Sequence, residues 1–121
     1  MRDILFKAKH LVLNKWYEGY YVKMGRLHYI CVLYDVSEYK LIEVDPSTLC
    51  QFTGLTDKNK DKIWENDIIE VPGEDEYFKL VWQEDTASFV LVNDSLIVTF
   101  DNYWSYDVEV VGNTFDNSDL L

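Results

Sequence analysis

Apolar residues in this chain arrive in short runs of five to nine, and turn residues close most of them. Leu27 to Tyr34 is aromatic and β-branched, and too short for a helical pattern. Lys40 to Val44 stops at Asp45-Pro46, and Ile63 to Val71 stops at Pro72-Gly73. Proline there can neither donate to a ladder nor continue it. Phe78 to Trp82, Ser88 to Val92 and Tyr106 to Val111 complete the clearest set. Ile97 to Phe100 is also β-branched and favours a strand. Helix signals are thin throughout. The pattern predicts a mainly β chain, built as a small barrel or sandwich.

Period-two alternation assigns faces within these runs. Tyr106, Val108 and Val110 share one face, and Asp107 and Glu109 the other, so this strand has a wet side. Phe89 to Val92 is apolar on both faces, which predicts fuller burial. Pro46 to Leu55 has no apolar period and reads as a structured loop. The tail after Gly112 reads as extended or turn structure, with Phe115 and Leu120 available to dock. At 121 residues one domain is expected. Within it, residues 1–56 read as an N-terminal β-hairpin layer and 57–121 as a second, acidic layer with a C-terminal tail. The lysine turn, Lys58 to Lys62, is the natural hinge. No internal repeat and no low-complexity segment is visible.

Charge divides the chain more sharply than its net value of −11 suggests. Residues 1–62 hold ten of the eleven Lys and Arg against eight acids, giving +2. Residues 63–121 hold one base, Lys79, against fourteen acids, giving −13. An acidic half repels nucleic acid and attracts a basic protein surface. It also keeps a small protein soluble. No apolar run is long enough to span a bilayer. The N-terminal MRDILFKAKHLVLNK is broken by Lys and His before a signal core forms, so the cytoplasm is the expected compartment.

Catalytic and metal chemistry have few residues to draw on. Cys31 and Cys50, with His10 and His28, show no zinc spacing, and the cysteines read as small buried hydrophobes. A Ser–His–Asp arrangement has only these two histidines available. Glu65 and Asp67 lie two apart in an expected strand and would share a face, as metal ligands or as solvated acids. Glu74 to Glu76 reads as a solvated loop. Lys58, Lys60 and Lys62 could touch a phosphate or an acidic partner, or simply solvate a turn. No phosphate-binding glycine motif occurs, Gly54 being single. No catalytic residue, metal or cofactor is expected. Aromatics are 16% of the chain, more than a small core encloses. Trp16, Tyr17, Tyr20 and Tyr21 form one cluster, and Tyr103, Trp104 and Tyr106 another, with Trp64 and Trp82 in strands. Exposed rings of this kind are favoured interface anchors.

Three segments resemble the YopX family of phages and prophages of low-GC Gram-positive bacteria. They are VDPSTLCQFTGLTDKN (Val44 to Asn59), KIWENDIIEV (Lys62 to Val71) and GNTFDNSDLL (Gly112 to Leu121), and the opening MRDILFKAK is similar in character. Asp45, Pro46, Phe52, Gly54 and Trp64 are the signature positions. The family usually has glycine where this chain has Cys50, glycine within the lysine turn, and glycine at Asn66. Asparagine tolerates positive φ, so Asn66 and Asn59 are expected to adopt it. The resemblance implies an SH3-type barrel in the C-terminal part and a phage or prophage origin. It implies no catalytic mechanism.

The function expected is a non-catalytic interaction protein. Its acidic face would imitate the charge of DNA and occupy a basic site on a host or phage protein, such as a nucleic-acid-binding or defence protein. The candidate contact residues are Glu65, Asp67, Glu70, Glu74, Asp75, Glu76, Glu84, Asp85, Tyr103, Trp104 and Tyr106. Direct contact with nucleic acid or membrane is not expected. Self-assembly through aromatic surfaces and edge strands is an alternative, and a nucleotide-sized ligand pocket a further one.

Overall fold

The structure, a computed structural model, describes residues 4–100 and 107–121. Eleven strands are present among them: β1 (Phe6–Lys9), β2 (Trp16–Met24), β3 (Leu27–Leu33), β4 (Tyr39–Glu43), β5 (Cys50–Thr56), β6 (Lys62–Trp64), β7 (Asp67–Glu70), β8 (Phe78–Gln83), β9 (Ser88–Val92), β10 (Ile97–Thr99) and β11 (Glu109–Asn113). Among the described residues helix is confined to two 3-10 turns, Pro46–Thr48 and Ser118–Leu120. None is long and apolar enough to cross a membrane. The chain forms two compact units, Met1–Phe52 and Thr53–Leu121.

In the first unit β1 to β4 run as an antiparallel meander, and the start of β5 returns against β1, giving the order β4-β3-β2-β1-β5. The β2–β3 turn is two residues, Gly25 and Arg26, with Gly25 at φ 62°. That left-handed backbone is where glycine carries no steric cost. Gly19 answers a different need, since a β-carbon there would run into the Cys31 carbonyl across the ladder. One face of the sheet holds the core. Tyr21, Ile30 and Ile42 are cross-strand neighbours on it, joined by Ala8 and Val44.

In the second unit β7 to β10 form another meander and β11 returns against β7, giving β10-β9-β8-β7-β11. Its core is larger: Ile63, Ile69, Phe78, Leu80, Leu91, Phe100 and Val108. A register shift between Val110 and Gly112 puts a bulge into β11. Val90 and Leu91 lie on opposite faces of β9 and are both buried, as the two-faced apolar run implied.

Both sheets are antiparallel and, among the described residues, neither closes into a barrel. β10 and β11 stand at opposite ends of their sheet, and no ladder joins them. β10 has only three residues to offer. Other expectations also change. The segment expected as one strand from Ile63 to Val71 is two strands, β6 and β7, separated by a turn at Glu65-Asn66, β6 pairing with β5 and β7 with β8 and β11. Asn66 has φ 72°, the turn conformation expected of it. In the lysine turn it is Lys60, at φ 67°, that takes the left-handed position in place of Asn59. The loop expected over Pro46 to Leu55 ends in a strand, because Cys50 and Phe52 alternate inward on β5. The last strand begins at Glu109, and Tyr106 lies outside the described residues.

Candidate functional site

Antiparallel meanders place every second connection at the same end of a sheet. In the second unit this brings the β7–β8 loop beside the β9–β10 turn. Between them opens a cleft of about 740 Å³, lined by Asp75, Glu76, Tyr77, Lys79, Asn93 and Asp94, with Val92, Leu120 and Leu121 adding apolar surface. The Asn93 side chain accepts the Ser95 and Leu96 N–H groups at 2.9 Å each, fixing the turn that carries Asp94. Lys79 and Val92 face each other across the β8–β9 ladder. Three acidic residues, one lysine and an apolar patch thus line the same cleft. A lysine or arginine from a partner would find charge for its head and carbon for its stem.

Of the residues expected to contact a partner, Asp75 and Glu76 line this cleft. Glu74 is exposed in the same loop, and its N–H donates to the Val71 carbonyl at 3.1 Å. Glu70 is exposed at the end of β7. Glu84 and Asp85 are exposed in the β8–β9 turn, at the other end of the sheet. Glu65 and Asp67 do not share a strand face. Glu65 is half-buried in the turn before β7, while Asp67 opens β7 at 2% exposure and accepts the Trp64 N–H at 2.8 Å. Asp67 therefore ties the turn together and offers no charge to solvent. Tyr103, Trp104 and Tyr106 lie outside the described residues. Among the described residues no three His, Cys, Asp or Glu side chains group as metal ligands. Cys31 and Cys50 are free thiols, half-buried and buried respectively.

The lysine turn is fastened to β11 by a residue that sequence reasoning passed over. Asp57 is 1% exposed, and its Oδ1 accepts the Asn59 and Asp61 N–H groups at 2.9 Å each. Its Oδ2 accepts the Val110 N–H at 2.9 Å. Lys58 Nζ lies 3.9 Å from Glu109, and Asn59 Nδ2 donates to Glu109 at 3.0 Å. Glu109 stands directly opposite Glu70 across the β7–β11 ladder. Like charges so placed repel, and the turn supplies the cation beside them. Lys58 thus has a neighbour within the fold.

The same kind of bonding explains the signature positions. Asp45 caps the Pro46–Thr48 turn, accepting the Ser47 N–H at 3.0 Å, and Pro46 fills the first position, where no N–H is needed. Thr48 Oγ1 accepts the Lys9 N–H at 2.9 Å. Phe52 is buried and its N–H reaches the Leu5 carbonyl at 2.9 Å. Gly54 sits at φ 88°, a left-handed position. Trp64 is 4% exposed. At the other end, a β-carbon on Gly112 would meet Asn117 Oδ1 at 2.6 Å, and that oxygen accepts the Asn113 N–H at 3.1 Å. Asn113 in turn accepts the Phe115 and Asp116 N–H groups at 3.0 and 2.9 Å. The YopX protein family matches residues 5–121, nearly the whole chain. The chain belongs to the YopX family. No curated protein matches it. In this YopX-family chain the three quoted segments are thus a capped turn leading into β5, a tight turn from β6 to β7 and a side-chain-bonded tail.

Proposed function

We propose that this YopX-family protein is a non-catalytic interaction protein of phage or prophage origin. It offers the acidic face of its second unit to a basic, nucleic-acid-binding surface on a host or phage protein, in the manner of a DNA mimic. The observation that carries this reading is the set of seven exposed acids Glu70, Glu74, Asp75, Glu76, Glu84, Asp85 and Asp94. None of them forms an ion pair among the described residues. Unpaired surface carboxylates in such number create a negative field that steers a basic partner. The cleft supports a defined place for contact rather than a diffuse one. The strand order of this unit supports an SH3-type reading of it.

Titration calorimetry with an arginine-rich peptide tests the proposal. Binding is expected at low salt, weakening as salt rises and reversed by competing duplex DNA. Changing Asp75→Asn, Glu76→Gln and Asp94→Asn together is expected to weaken it about tenfold or more, roughly one charged hydrogen bond's worth. The pair Glu84→Gln and Asp85→Asn, remote from the cleft, is expected to do much less. Absence of binding at low salt, or equal losses in both sets, contradicts the reading.

A further inference from the structure

An antiparallel sheet with its core on one face ordinarily turns polar residues to water on the other. The first unit breaks that rule. Opposite its core face, the cross-strand neighbours are Tyr20, Cys31 and Leu41, then Met24 with Leu27, then Leu33 with Tyr39. Tyr20 is 50% exposed, Met24 48%, Leu27 46%, Leu33 56%, Tyr39 64% and Leu41 37%. We infer that this face of β2, β3 and β4 packs against the same face of a second copy of the chain, sheet on sheet, about a two-fold axis.

Area and charge favour that occupant. These six side chains present on the order of 600 Å² to solvent, near the roughly 800 Å² per partner of a standard interface. A contiguous apolar patch of that size is at the upper end for a free monomer surface. On β2 and β3 this face carries one charge, Glu18, which stands opposite Lys7 of β1, and on β4 it carries Glu43, at the strand's end opposite Tyr29. About a two-fold axis the same patch meets itself, which an apolar surface does without like-charge repulsion. The strongly acidic second unit repels its own kind. Self-association is therefore expected to run through the first unit, leaving the acidic face open. The inference is independent of the partner reading above, since it uses different residues.

Sedimentation velocity on the full chain tests it, from low to high micromolar concentration. The wild type is expected to sediment as two chains. Leu33→Lys and Tyr20→Lys, both at exposed positions, are each expected to give one chain with unchanged far-UV circular dichroism. Alkylation of Cys31 supplies a second readout, because it lies centrally on the face while Cys50 is buried. Its rate is expected to fall several-fold as the wild type associates, and to be independent of concentration in the lysine variants. A wild type that stays one chain throughout, or lysine variants that remain paired, overturns the inference.

Discussion

Each unit runs four strands as a meander and brings a fifth back against the first. On that shared plan they put opposite surfaces. The first unit has a core of small and medium residues, Ala8, Ile30, Ile42 and Val44, and leaves large apolar side chains outward. The second has large residues in its core, Phe78 and Phe100 among them, and sets exposed carboxylates beside the few apolar side chains it leaves outside, such as Trp82 and Ile97. Strand order therefore does not dictate surface chemistry. It requires only an inward-facing apolar residue at alternate positions, which many unrelated sequences meet. This is why the two units share a topology while no repeat is visible in the sequence.

The largest expected effects ask whether the two cores differ as described. Phe78→Ala is expected to cost about 4 kcal/mol and Ile42→Ala about 3 kcal/mol, read from denaturant midpoints. A larger loss from Ile42→Ala would reverse the comparison. Asp57→Ala is next, at about 2–3 kcal/mol, because three N–H groups lose a buried acceptor. Thermal melting of that variant beside Lys58→Ala sharpens the account of the lysine turn. The Lys58–Glu109 pair is partly exposed and its atoms are 3.9 Å apart, so its loss is expected to be about 0.5 kcal/mol or less. Equal losses would mean that charge rather than the Asp57 bonds holds the turn.

The smallest effect belongs to the first unit. The Ser37 backbone N–H, at 2.8 Å, and the Ser37 hydroxyl, at 3.0 Å, hold the Asp35 carboxyl below the usual aspartate range. A carboxylate depressed on folding stabilises the fold above its unfolded pKa. That contribution fades as pH falls through the folded value. Melting curves of wild type and Asp35→Asn are therefore expected to differ slightly at neutral pH and to converge in acid. A difference that grows in acid contradicts the assignment.

What could be read from sequence followed the strength of local signals. β3, β4, β8, β9 and β10 are β-branched or aromatic, and their runs were legible. β1 carries two lysines, and β2 holds Glu18 and Gly19. Those strands exist because neighbouring strands pair with them, which no local window contains. The turn between β6 and β7 was half legible, since positive φ at Asn66 already implies a turn within the apparent strand. Asp75 and Glu76 were visible as part of an acidic run. Asp94 and Lys79 became neighbours of that run only once strand order and register were known. Asp57 carried a local cue, an aspartate followed by backbone N–H groups two and four residues on. Its bond to Val110 spans 53 residues and had none.

The most direct test of the contrast between the units exploits salt. An acidic binding face loses affinity as ionic strength rises, while an apolar face holds or gains. Sedimentation velocity of the full chain with a fluorescent arginine-rich peptide, at low and then high salt, reads both at once. The account predicts that the peptide co-sediments with a two-chain species at low salt and is released at high salt, while the two chains stay together. Peptide retained at high salt, or chains that separate together with the peptide, would contradict it.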